Sequence, residues 1–262
     1  MTSLARILKP SWWAYHWQYR NPLHFWWQYL NTRRFPDDIN SIDDLVAYGK
    51  QHNILGFNRE CIRAYIIWKL HQHFGCSAFV ETGTLYGSTA AYVQRVFKTP
   101  VFTSEINPTY SLVSKINLLW ASGIRKFLSN SPDFLRRVCE PSAIGDRPMF
   151  YLDAHWYDYL PLTDELDTIG KQCPKGIIVI DDFFNPRHPG FQYDTYGDIR
   201  IDSDFVNNNL GTSRDDFFVY YPSYSPDQDP TGKGIGFGVV LMGLGDLPPK
   251  TFPFELLMKA QW

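Results

Sequence analysis

The sequence is poor in cysteine, in long apolar runs and in net charge, and each shortage excludes something. Its four cysteines, Cys61, Cys76, Cys139 and Cys173, are scattered over 262 residues without a Cys-x-x-Cys pair. That argues against a disulfide framework or a thiolate zinc site and fits a reducing compartment. No apolar run approaches the length that spans a bilayer, and no segment has the clean apolar core of a signal peptide, so a cytoplasmic protein is expected. The formal net charge is −2, so no global basic field argues for a nucleic-acid partner. Internal repeats and low-complexity tracts are lacking as well. Hydrophobic residues make up 44% of the chain, enough to bury a large core in one sizeable domain with an appendage.

The appendage is residues 1–40, ahead of a main domain over residues 41–262. Its first 35 residues contain no acid at all, only Arg6, Lys9, Arg20, Arg33 and Arg34, while Trp12, Trp13, Trp17, Trp26 and Trp27 account for five of the nine tryptophans. Pro10 and Pro22 break it into short pieces. Four uses remain open for such a segment: packing on the main domain, a lid over a substrate pocket, a dimer arm, or contact with a membrane surface, where rings sit at headgroup level and cations meet anionic lipid.

From residue 41 the pattern becomes regular. Ser41 with Asp43 and Asp44 predicts a capped helix to about Gln51, and Asn58 opens a second, with Ile62, Tyr65, Ile66 and Leu70 near one face, ending at Gly75. Strands are then predicted over 78–81, 101–106, 127–130, 149–153 and 176–182, separated by helices over 88–98, 108–122, 132–138 and 161–172. Such alternation implies a Rossmann-like, doubly wound, mostly parallel sheet. The run Ile177-Ile178-Val179-Ile180 is apolar on both faces, as expected for a covered strand. Two last strands, 217–221 and 236–242, have no helix between them and predict a C-terminal antiparallel hairpin, making seven strands in all.

The rest of the chain is organised around Glu81-Thr82-Gly83-Thr84-Leu85-Tyr86-Gly87-Ser88, a strand end, a two-glycine turn and a helix start. Gly83 permits a sharp turn and close approach of a ligand, and Gly87 with Ser88 offers the positive end of a helix to an anionic group. In an open parallel sheet, ligands bind beyond the carboxyl ends of the strands. Glu81, Glu105, Asp153, Asp181 and Asp182 all fall there, and five carboxylates on one rim repel one another unless cations or hydroxyl-rich ligands intervene. Glu105 suits the two hydroxyls of a ribose, and Asn130 and Ser131 an adenine edge. Asp153, Asp181 and Asp182, with Asn185 as an added neutral oxygen, make an oxygen-only set suited to Mg²⁺ or another hard divalent cation. His155 has the right pKa for a general base toward a substrate hydroxyl, or contacts cofactor or a neighbouring carboxylate.

Residues 80–89 resemble the first motif of the class I S-adenosylmethionine-dependent methyltransferases, and Glu105-Ile106-Asn107-Pro108 their acidic ribose-binding position. The segment Met149-Phe150-Tyr151-Leu152-Asp153-Ala154-His155-Trp156, with Val179-Ile180-Asp181-Asp182, resembles the metal-binding segments of catechol O-methyltransferase-like enzymes and of metal-dependent sugar O-methyltransferases acting on macrolides. The resemblance covers roughly residues 76–185. It implies that Glu81, Gly83 and Gly87 shape the cofactor loop and that Ser88 lies near the methionine carboxylate. It also implies that Glu105 holds the ribose, that Asn130 and Ser131 lie beside the adenine, and that Asp153, Asp181 and Asp182 hold Mg²⁺. Asp153 then borders the cofactor and, with His155, forms the catalytic pair for methyl transfer to a hydroxyl of a small molecule or glycan. Catechol-type enzymes carry a lysine base shortly after the first metal aspartate; here Ala154-His155-Trp156-Tyr157 follow, so His155 is the expected substitute. Two other readings stand beside this one: a non-catalytic protein of the same fold docking through its N-terminal segment, and a nucleotide-dependent oxidoreductase. The missing Gly-x-Gly-x-x-Gly spacing weighs against the latter. A homo-oligomer remains open.

Overall fold

The computed structural model describes residues 20–154, 159–213, 216–230, 233–248 and 251–261. Helices α1 (Pro22–Asn31), α2 (Ile42–Gln51) and α3 (Cys61–Phe74) precede the sheet. Ser41 caps α2 through Asp44 N–H, as its position predicts, and α3 stops at Gly75, which takes the left-handed conformation that ends a helix cheaply. Strands β1 (Phe79–Thr82), β2 (Val101–Glu105), β3 (Ile124–Leu128), β4 (Met149–Leu152) and β5 (Gly176–Asp181) are parallel. They are joined by α4 (Ser88–Phe97), α5 (Pro108–Asn117), α6 (Ser131–Val138) with a short α7 (Pro141–Ile144), and α8 (Leu162–Gln172). A small ribbon, β6 (Thr195–Tyr196) with β7 (Ile199–Arg200), and helix α9 (Ser203–Asn209) lead to β8 (Phe217–Pro222), β9 (Phe237–Met242) and β10 (Leu257–Lys259).

The main sheet runs β10-β8-β9-β5-β4-β1-β2-β3. The doubly wound, mostly parallel architecture and its antiparallel end are as expected, with β9 antiparallel to β5 and β8 antiparallel to β9. The sheet has eight strands where seven were expected. The eighth, β10, is a three-residue edge strand laid against β8, too short to leave a pattern. β3 begins three residues before its predicted start, at Ile124, and takes in Arg125 and Lys126. As the far edge it tolerates exposed charge, which hid it from a search for apolar runs. Asn58 does not open α3. It sits in a 3₁₀ turn, Phe57–Arg59, with φ of +56°, and the helix starts at Cys61.

Alternation along the strands makes two cores. Phe79, Tyr151 and Val179 face the side covered by α3, while Val80, Phe150, Ile178 and Ile180 face the other side with Phe134 and Leu166. Residues 1–19, with Trp12, Trp13 and Trp17, lie outside the described residues. The remainder of the N-terminal segment lies on α4 and α5. Phe25 is buried, Tyr29 Oη donates to Gln94 at 2.9 Å, and Trp26 meets Trp120 edge-on with centroids 5.2 Å apart. Arg95 of α4 ties this helix down by donating to the carbonyls of Leu30 and Thr32.

Candidate functional site

Strand order reverses between β1 and β4. From β1 the chain winds outward to β2 and β3, then returns to β4 on the opposite side. A crevice opens at such a switch point beyond the carboxyl ends of the strands. Register settles which residues reach it on one face. Leu152 lies opposite Ile180 and Thr82 opposite Leu152, so Glu81, Asp153 and Asp181 follow Phe79, Tyr151 and Val179 on the α3 side. Thr103 and Glu105 follow Val101 on the same face.

The glycine turn is laced to β2. Gly83 N–H and Thr84 N–H both donate to the Ser104 carbonyl, at 3.0 and 2.9 Å. Thr103 Oγ1 donates to Glu81 at 2.6 Å and lies 2.5 Å from Thr84 Oγ1. Leu85 N–H donates to Glu105 at 2.8 Å, and Asn107 N–H to its other oxygen at 2.8 Å. Gly83 is needed for a reason the sequence did not reveal. At φ of +86° a Cβ there would stand 2.5 Å from the Asp153 carbonyl, so the glycine admits the end of β4 rather than a ligand. Gly87, also left-handed, starts α4, and no side chain caps its first turn. Those N–H groups and the helix dipole stay available to an anion beside Ser88.

Asn130 and Ser131 reach the same rim, because Leu128 pairs with Glu105 and Ser129 N–H donates to the Glu105 carbonyl. The Asn130 side chain is engaged as the cap of α6. It accepts from Asp133 N–H at 2.9 Å and donates to the Asp133 carboxylate at 2.8 Å, while Ser131 is buried in the first turn.

The acidic group departs most from expectation. Asp181 is buried and its two oxygens are taken, one by the guanidinium of Arg63 and the other by Asn58 Nδ2 at 2.9 Å. Arg63, fully buried in α3, also pairs with Glu60 at 2.8 Å, contacts Tyr151 Oη at 3.4 Å and donates to the Ile235 carbonyl. The rim therefore carries its own cation. Asn185 is likewise committed, donating to the Pro222 carbonyl at 2.7 Å and accepting from the N–H groups of Arg187 and His188. Asp182 leaves β5 with a left-handed backbone, φ +54°. Among the described residues no three carboxylate, imidazole or thiol groups converge as a metal site. Asp181, the middle member of the Mg²⁺ set expected at Asp153, Asp181 and Asp182, is thus already paired with Arg63 and Asn58.

Burial sets the protonation of this face. It pushes Glu81 up to about 8, helped by the charge of Glu105 and opposed by the Thr103 hydroxyl. Burial, then the charges of Asp181, Asp182 and Glu81, raises Asp153 as well. Glu60 is raised to about 7, mainly by desolvation, with Arg63 opposing.

His155, the expected base, lies outside the described residues. Sequence reading missed Lys233, from the loop before β9. Burial lowers its pKa, and so do the charges of Arg59 and Arg63, with Glu60 and Asp181 acting the other way. It therefore lies within electrostatic reach of the rim. Its surroundings, Thr231-Gly232-Lys233-Gly234, read only as a turn.

No family model matches the sequence, and no curated protein matches it. Solved structures do resemble the fold. An O-methyltransferase from Bacillus cereus in complex with S-adenosylhomocysteine superposes with a TM-score of 0.50 at 16% identity, covering 82% of this chain and 96% of that one. The two share the Rossmann-like, doubly wound α/β fold. The O-methyltransferase TomG from Streptomyces achromogenes, involved in tomaymycin synthesis and solved with S-adenosylmethionine, gives 0.49 at 16% identity, covering 86% and 98%.

Proposed function

We propose that this protein is an S-adenosylmethionine-dependent methyltransferase acting on a hydroxyl of a small molecule or sugar. One juxtaposition carries the proposal: the uncapped first turn of α4 and the Glu105 carboxylate flank the same turn at the β1–β4 switch point. The residues fit the cofactor. Its carboxylate would meet the N–H groups at Ser88, its ribose hydroxyls would donate to Glu105, and Asn130 and Ser131 border the remaining space. Glu105 accepts one backbone N–H on each oxygen, which leaves lone pairs for two hydroxyls.

Bound there, S-adenosylmethionine would supply an electrophilic methyl group, its sulfonium leaving as the thioether. The chain's part is to orient the acceptor in line and to take its hydroxyl proton. His155, two residues after Asp153, is the group proposed to take that proton. No step is routed through a metal.

Calorimetric titration with S-adenosylhomocysteine tests the proposal. Binding is expected, and Glu105→Ala should weaken it by at least about tenfold, as lost charge-assisted bonds require. A wild-type protein that binds no S-adenosylhomocysteine, or a variant with unchanged affinity, overturns the reading or its ribose assignment.

A further inference from the structure

Helix α5 mixes its faces. It turns Ser111, Ser114 and Asn117, all buried, toward the core beside the half-buried Tyr110 and Val113, while Leu112 and, beyond its end, Leu119 are 60% and 68% exposed. Ordinary surface helices do the reverse. The buried polar positions have work: Asn117 Nδ2 donates to the Tyr86 carbonyl at 3.0 Å and Ser114 to the Ser111 carbonyl. Nothing in that arrangement accounts for the outward apolar residues. Helix α1, packed alongside, repeats the pattern. It buries Phe25 and Gln28, yet Leu23, Trp27 and Leu30 at i, i+4 and i+7 are 82%, 60% and 55% exposed. Trp120, 69% exposed, joins the two helices through Trp26. Exposed apolar residues gathered this way mark an interaction surface rather than scattered accidents.

Charge says what the surface meets. Residues 106–132, from the end of β2 through β3, contain no aspartate or glutamate, and neither do residues 1–35. In a chain of 27 acidic residues, the charged residues of these two segments are all basic, among them Arg20 and Arg33 in the first and Lys115 and Lys126 in the second. Lys126 is partly buried, which lowers its pKa, and Lys115 lies near enough to lower it further. A second copy of the chain would bring like charges together across this face. An anionic lipid surface complements it, accepting tryptophan and leucine at the headgroup boundary and pairing lysine and arginine with phosphates. No described helix is long and apolar enough to cross a membrane, so contact is with the surface alone.

We propose that the joined outer faces of α1 and α5 dock the protein on an anionic lipid bilayer. The contact lies beside the rim described above, since α5 follows Glu105 directly. Its truth does not depend on the methyltransferase reading.

Flotation of the full chain with vesicles of phosphatidylcholine, with and without phosphatidylglycerol, tests it. Binding is expected to the anionic vesicles, to weaken with added salt, and to be poor with phosphatidylcholine alone. Leu112→Glu with Trp120→Glu should weaken partitioning by at least about tenfold. Leu23→Gln with Leu30→Gln on α1 should weaken it in the same direction, and provides the second test if the first variant misfolds by circular dichroism. Failure of the wild-type chain to float with anionic vesicles at low salt overturns the proposal. So does binding that both variants leave unchanged. Concentration-dependent self-association without vesicles, abolished by the same variants, assigns the face to contact between copies and overturns it too.

Discussion

Helices α3 and α5 contribute to the same side of the sheet and break the amphipathic rule in opposite ways. α3 takes a guanidinium into the core at Arg63, while α5 puts serines and an asparagine inside and leucines outside. Neither choice follows from the usual apolar-in, polar-out pattern. Each departure lies next to something it serves. Arg63 pairs with Asp181 at the end of β5 and with Glu60 just before α3, and α5 leaves the rim at Glu105 with Leu112 facing out. The first departure is bound up with the stability of the fold, whereas the second is free of it, and that difference can be measured.

The largest effect is expected at Arg63. Truncating one member of a buried ion pair leaves the other uncompensated, at a cost of about 3–5 kcal/mol. Arg63→Met should lose stability on that scale in urea unfolding at neutral pH, because Asp181 and Glu60 remain buried without their cation. Adding Asp181→Asn should restore part of the loss. A single variant within about 1 kcal/mol of wild type would show that the rim does not depend on this cation.

Arg63 also marks where sequence reading stopped. The parallel strands were legible because Ile177–Ile180 and their neighbours are apolar on both faces, and the rim followed from strand ends. The partner of Asp181 was not legible, because Arg63 is 118 residues away and looks like one charge on a helix whose other residues read as core. A rim of five acids was therefore expected to need outside cations or hydroxyl-rich ligands. Asn58 was misread for a related reason: asparagine suits a helix start, but here it takes a left-handed backbone and donates to Asp181. Gly83 and Gly87 take the positive φ expected of a tight turn, but the close approach of the Asp153 carbonyl to Gly83 emerged only from the pairing of β1 with β4.

Glu81 sharpens the same comparison, since it is buried on the α3 side and makes no ion pair among the described residues. Its pKa is raised from 4.5 to about 8, chiefly by burial. A carboxyl raised on folding contributes stability that is whole below the unfolded value and drains away as pH climbs through the folded value. Unfolding free energy should therefore fall as pH rises from 4.5 to about 8. Glu81→Gln should flatten that decline by an amount on the order of a few kcal/mol across the window. Parallel pH curves for wild type and variant would show that Glu81 ionises freely in the folded protein.

The smallest effect tests the other helix. Leu112 is 60% exposed on α5, opposite the buried Ser111 and Ser114. Leu112→Gln should change unfolding free energy by less than about 0.5 kcal/mol, the ordinary range for a surface site. Glutamine is nearly as good a helix former as leucine, so propensity does not obscure the result. A loss beyond about 1.5 kcal/mol, the lower end for burying a leucine, would mean that the side chain is covered by the protein itself. The outer face of α5 would then belong to the core, and the contrast with α3 would vanish. A near-zero change, beside a large loss at Arg63, separates the helix that stabilises the rim from the helix whose apolar face the fold leaves for something else.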